Sequence, residues 1–168
     1  MKFLLRFLLP LAVITSCKKE HLSRDTQNGA NTFSCKINGT VFTPCNGGFF
    51  SSGPSLYAHY SSNFTIVYIG ADCTKKYPFE FISIELNNFH GIGEYLLSDV
   101  NNSCTYTISD PVDRVYKSIF TGNGKVVITK NDRINFILSG TFEFTTAEGT
   151  NPSDIVTVSS GRFDLKTN

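Results

Sequence analysis

From Phe33 onward, apolar side chains recur at every second position in short runs, and nowhere at spacings of three and four sustained over ten positions. That period of two belongs to a strand with one buried face, whereas a helix would need the longer spacing. The runs are punctuated by Gly, Asn, Asp, Ser and Pro, the residues that turns demand. Phe33–Ile37 and Thr40–Thr43 flank Asn38-Gly39, the strongest short hairpin signal, and Pro44 ends the pair. Leu56–Tyr60 and Phe64–Ile69 flank Ser61-Ser62-Asn63 in the same way. Phe79–Leu86 changes apolar phase between Phe81 and Ile82, which predicts a bulge. Gly91–Leu97 and Ser103–Ile108 follow, and Val115–Phe120 is joined to Lys125–Thr129 by Gly122-Asn123-Gly124, read as a hairpin turn. Ile134–Phe144 is the clearest strand, with Ile134, Phe136, Leu138, Phe142 and Phe144 in one phase. Ile155–Val158 and Arg162–Leu165 close the chain, slipping phase at Ser160-Gly161. About ten strands with short connections predict an all-β fold, a single antiparallel β-sandwich or β-barrel. Parallel pairing would need crossovers of about a dozen residues that the chain does not supply.

Composition narrows the class of function. The 168 residues carry 15 Lys and Arg against 14 Asp and Glu, with 15 Phe and no Trp. Near-neutral charge without a basic block excludes an electrostatic nucleic-acid binder. So many aromatic residues exclude a disordered chain, and the length suits one core that folds without a metal.

The start of the chain has its own grammar. Lys2 and Arg6 precede an apolar run from Phe7 to Ile14, small residues follow, and Cys17 comes next. This pattern predicts a secretory signal peptide over residues 1–16, too short to be a membrane-spanning helix. Ile14-Thr15-Ser16-Cys17 resembles the lipobox of bacterial lipoproteins, which implies cleavage before Cys17 and acylation of its thiol and new amino terminus. Two or more acyl chains hold a protein stably on a membrane, whereas one does so only marginally. The expected partner of the N-terminus is therefore a membrane, and the expected location is the cell envelope. Residues 17–32 contain Leu22 as their only large apolar side chain and read as a flexible tether, leaving residues 33–168 as the β domain. Cys17-Lys18-Lys19-Glu20 is similar to the opening of many Bacteroidota lipoproteins, and either face of an outer membrane fits it.

Beyond the anchor, Cys35, Cys45, Cys73 and Cys104 in an oxidising compartment predict two disulfides. The Asn38-Gly39 hairpin sets Cys35 opposite Phe42 and about 10 Å along the strand from the position facing Cys45, too far for a bridge. Cys35 and Cys45 are thus expected to pair with Cys73 and Cys104, in either order. No close Cys pair exists and His59 and His90 have no partner at ligand spacing, so no metal site and no cofactor are expected.

Nucleophilic catalysis has no signature here: Gly-x-Ser-x-Gly is missing, and the three His include His21 in the tether. Glu80, Glu85, Glu94 and Glu143 supply the carboxylates that glycoside hydrolysis would require in pairs. Gly122-Asn123-Gly124-Lys125 lacks the spacing of a phosphate loop. For ligand binding, Tyr57, His59 and Tyr60 stand out, because alternation must turn at least one of the two tyrosines outward.

Phe33–Phe42 at the start, with Ser139-Gly140-Thr141-Phe142-Glu143-Phe144 and Ser160-Gly161-Arg162-Phe163-Asp164-Leu165 at the end, resembles a family of small Bacteroidota cell-envelope lipoproteins of unknown function. The resemblance implies an all-β envelope domain and assigns no catalytic residue. The expected function is that of a non-enzymatic, lipid-anchored domain binding a ligand or partner, an envelope protein or a glycan. A hydrolase acting on envelope or dietary glycans, and a structural accessory subunit of an outer-membrane complex, are the rival expectations.

Overall fold

The structure, a computed structural model, describes residues 21–45, 55–74, 77–97, 101–118 and 121–167. The expected signal peptide and Cys17 lie outside these residues. The described residues form eleven strands: β1 (Thr32–Ile37), β2 (Thr40–Phe42), β3 (Leu56–Tyr60), β4 (Ile66–Cys73), β5 (Phe79–Asn87), β6 (Gly93–Leu96), β7 (Asn102–Ser109), β8 (Asp113–Lys117), β9 (Asn123–Asp132), β10 (Ile137–Glu148) and β11 (Ile155–Lys166). All pair antiparallel in one sheet that does not close into a barrel, so the all-β expectation holds.

The sheet forks at β10. Over Ile137–Thr145 one edge of β10 pairs with β9, and β9 with β6. At Ala147 and Glu148 the same edge pairs instead with β8, from which β7, β5, β4 and β3 follow in order. The other edge of β10 carries β11, β1 and β2. The core lies between the arms: Val67, Ile69, Ile82, Ile84 and Leu86 from one meet Val126, Ile128, Leu138, Val158 and Leu165 from the other. Burying each such side chain stabilises by about 1.5–3 kcal/mol.

The glycine-phenylalanine pattern of the last two strands has a packing reason. Gly140 lies opposite Phe163 and Gly161 opposite Phe142 in the β10–β11 ladder. The space that a Cβ would take at each glycine is held by the ring of its partner. Phe33 adds a third ring 5.1 Å from Phe142.

Four expectations about local structure require correction. Ile134–Phe144 is not one strand, because Arg133–Phe136 is a turn and β10 starts at Ile137. The turn carries no Gly or Pro; the Asp132 carboxylate builds it by accepting from the backbone N–H of Ile134 and Asn135 at 3.2 and 3.0 Å. β5 has no bulge: its register runs unbroken against β4 and β7. Ile82, Ile84 and Leu86 face inward while Phe79 and Phe81 face outward, so the apparent phase change marks aromatic residues on the outer face. β8 and β9 do not form a hairpin, since both lie along one edge of β10, and Gly122 and Gly124, at φ 59° and 145°, carry the chain from one to the other without reversal. Finally, the described part of the expected tether is fastened to the sheet. The Asp164 carboxylate, only 1 % exposed, accepts from the N–H of Asn28, Gly29 and Ala30 at 2.8–3.1 Å and from the hydroxyls of Thr26 and Ser139 at 2.7 Å. Burial alone would raise the pKa of this carboxyl, but the donors outweigh it and hold the pKa down at about 2.

Cys45 and Cys73 form a disulfide with Cα atoms 4.7 Å apart, one of the connectivities left open by the sequence. It joins the end of β2 to the end of β4, linking the two arms of the sheet. The second expected bridge is not formed. Cys35 and Cys104 are free thiols in the core. Cys35 lies within electrostatic reach of Glu80, whereas Cys104 is opposite Ile84, four residues or about 13 Å further along β5.

Candidate functional site: an aromatic sheet face

The pleat separates the three residues singled out on β3. Ala58 points into the core, so Tyr57 and His59 lie together on the outer face while Tyr60 packs against the interior. There Tyr60 donates to the Asn131 side-chain oxygen at 2.7 Å, and its ring is 5.7 Å from Phe89. The expected trio is thus two residues on one side and one on the other.

On the outer face the sequence brings a row of rings together from three strands. Tyr57 lies 6.3 Å from Phe81 of β5 at an interplanar angle of 24°, and 5.7 Å from His59 at 35°. His59 in turn lies 4.9 Å from its cross-strand partner Tyr68 of β4, at 23°. Gly70 is the cross-strand partner of Tyr57, and the tyrosine Cζ, Cε1 and Oη occupy the space of a Cβ at that position. A glycine floor lets the ring lie down across the strand instead of standing upright, and the neighbouring rings share its tilt. The same glycine-to-ring packing that builds the interior at Phe142 and Phe163 is here turned toward water. In the sequence Tyr68 and Phe81 belong to a wider set of aromatic residues, with Phe49, Phe50, Tyr77 and Phe79, that could line a binding face but read mostly as core; the out-of-phase Phe79 and Phe81 are the signal that sets Phe81 on the outer face.

Polar groups border this row. Asp72 and Thr74, with Phe79, Phe81 and Thr107, line a shallow depression of about 310 Å³. Burial raises the Asp72 carboxyl above its ordinary pKa, partly offset by the hydrogen bond from Thr74. Burial pushes the Tyr57 phenol up to about 12, and the nearby Asp72 charge adds to the rise. Tyr57 is therefore neutral at physiological pH and keeps a hydroxyl that can both donate and accept. At the other border the Asn87 amide donates to Glu85 at 3.2 Å.

The four glutamates do not converge as a catalytic pair. Glu80 points inward and accepts from the Tyr106 hydroxyl at 2.7 Å. Glu85 lies on the aromatic side of β5. Glu94 and Glu143 do approach each other, but Lys125 stands between them with its Nζ 3.5 and 3.9 Å from their oxygens, all three on an open surface. Such exposed pairs contribute about 0–1 kcal/mol and serve solubility. His90 stacks on Tyr95 at 4.7 Å, away from His59. Among the described residues no group of three His, Cys, Asp or Glu could hold a metal ion. No helix among them is long and apolar enough to cross a membrane.

A family profile described as a domain of unknown function (DUF6252) matches residues 46–164, most of the chain. No curated protein and no solved structure matches.

Proposed function

We propose, from the premise that the chain belongs to the DUF6252 family of unknown function, that it is a lipid-anchored, non-catalytic binding domain of the cell envelope whose ligand is a glycan held on the aromatic face. The observation that carries this reading is the Tyr57 ring laid across Gly70 with Phe81, His59 and Tyr68 beside it. A pyranose ring presents an apolar C–H face and a hydroxylated rim. The first suits the rings, and the second suits Asp72, Thr74 and the Tyr57 hydroxyl at their border. Reading the domain as non-catalytic is supported by glutamates that are separated, turned inward or bridged by Lys125.

Isothermal titration of the full chain with soluble oligosaccharides and peptidoglycan fragments tests the ligand. Binding that falls at least tenfold in Tyr57→Ala, about 1.4 kcal/mol, is the expected result. A folded protein that binds none of them defeats the reading. The anchor is supported by the lipobox-like Ile14–Cys17. Cys17→Ala is expected to abolish acyl labelling and release the protein from the membrane fraction, and retention there would refute lipidation.

A further inference from the structure

One end of the domain exposes more apolar surface than its loops require. Three loops meet there: Ser61–Thr65 between β3 and β4, Asn88–Ile92 after β5, and Arg133–Phe136 between β9 and β10. The Phe89 N–H donates to the Thr65 carbonyl at 2.7 Å, and Tyr60 reaches Asn131. The Arg133 guanidinium lies 4.8 Å over the Phe64 ring and 5.8 Å over Tyr60. Each loop nevertheless turns a large apolar side chain outward: Phe64, Ile92, Ile134 at 88 % exposure and Phe136 at 58 %.

Two of these are held there in a conformation that bulky residues avoid. Phe64 and Phe136 have φ of 59° and 57°, where Gly or Asn would form the same turn without strain. Turn chemistry alone therefore does not account for phenylalanine at either place; the Phe64 ring meets Tyr60 at 5.6 Å yet stays 46 % exposed, and Phe136 is more exposed still. Cations accompany the apolar tip. Lys130 is paired with Asp132 at 3.8 Å, while Arg133 and Lys166, whose Nζ donates to the Asn135 carbonyl at 3.1 Å, remain without a carboxylate among these four residues.

We infer that this end is a membrane-contacting tip, with Ile134, Phe136, Phe64 and Ile92 entering the upper acyl region of an anionic bilayer and Arg133 and Lys166 lying among its headgroups. The inference rests on the lipid-anchored reading above, since the anchor supplies the bilayer. Chain length permits both contacts at once. From Cys17 to Ser23 is six residues, a reach of about 20 Å. Ser23 is fixed beside Ser34, level through Arg162 and Thr141 with Val127, and hence about 17 Å below the base of the β9–β10 turn. The acyl chains suffice to hold the protein, and the apolar, cationic patch then fixes which way the domain faces on the bilayer.

The absence of Trp from the chain provides a clean probe. Full-length lipidated protein carrying Ile134→Trp is reconstituted with vesicles of phosphatidylethanolamine and a minority of phosphatidylglycerol, with or without bromine on the acyl chains. Val112→Trp is the control, because Val112 is 71 % exposed in the β7–β8 turn at the opposite end. Brominated chains are expected to quench the indole of Ile134→Trp at least about twofold and to leave that of Val112→Trp unchanged, given an insertion depth of about 5–10 Å. Equal quenching of both, or of neither, in protein that floats with the vesicles overturns the tip while leaving the anchor intact. If the protein does not float, the anchor fails instead. The same fluorescence with vesicles in excess then decides the tip alone: selective quenching upholds it, and no quenching overturns it.

Discussion

The carboxylate of Asp164 in β11 accepts a 2.8 Å hydrogen bond from the backbone N–H of Gly29, well over a hundred residues earlier in the chain. With the donors from Asn28, Ala30, Thr26 and Ser139, it turns an irregular segment into part of the fold. Asp164→Ala is expected to cost about 3 kcal/mol or more, because it strands several buried donors at once. Trypsin should then cut after Arg24 much faster than in the parent protein, which peptide mapping reads directly.

The same carboxylate sets an acid limit. Its folded pKa of about 2 lies below the roughly 3.9 of an unfolded Asp, so the stabilisation is complete above the unfolded value and is lost as pH falls toward the folded one. Denaturant midpoints measured between about pH 5 and 2 should fall steeply in the parent and more gently in Asp164→Asn. Equal slopes would show that other carboxylates dominate.

Gly70→Ala separates packing from binding. The added methyl takes the place of the Tyr57 ring, which can swing outward, so stability should change by about 1 kcal/mol or less. Oligosaccharide binding should nevertheless drop as far as in Tyr57→Ala, and the Tyr57 phenol, released into water, should titrate lower than its present value of about 12. NMR of labelled tyrosine follows that titration.

Gly140→Ala should behave in the opposite way. There the Cβ meets the Val127 carbonyl oxygen and the Phe163 ring, in the middle of the sheet where backbone cannot give way. A loss of about 2–4 kcal/mol is expected from overpacking, seen as a lowered Tm, with the isolated β10–β11 register the first feature to lose amide protection.

Thiol chemistry tests the cysteine pattern. In Cys17→Ser protein, alkylation should modify no thiol in the native state and two, Cys35 and Cys104, after unfolding. Burial raises both thiols, Cys35 to about 12, which withholds the reactive thiolate. Reducing Cys45–Cys73, whose partners are 28 residues apart, should lower stability by about 3–4 kcal/mol.

Alternation carried most of the architecture from sequence, because a strand with one buried face writes its period into the residues. It failed where side chains and backbone disagreed with the habit. Ile134 and Phe136 are in phase with Leu138 and so read as core, yet Asp132 turns the chain beneath them and they become surface. Glu80, offered by the sequence as one of the carboxylates for a hydrolytic pair, shares the parity of Ile82 and Ile84 and is turned inward, where it accepts from the Tyr106 hydroxyl. The fork at β10 left no local trace, since a strand's own sequence does not say how many neighbours share its edge. Of the ligand face, Tyr57 and His59 were legible by parity, while the floor beneath them was not: Gly70 sits among strand residues whose partner is known only once the register is fixed.

Fastening the first described residues across β10 and β11 also decides how the fold bears load. Tension applied to the amino terminus reaches Ser23 first, then the cluster of donors on Asp164, and only afterwards the ladder of β1. The chain would have to be peeled from its own surface contact by contact before a strand could be drawn out. Those contacts lie outside the hydrophobic interior, so breaking them would expose no core side chain.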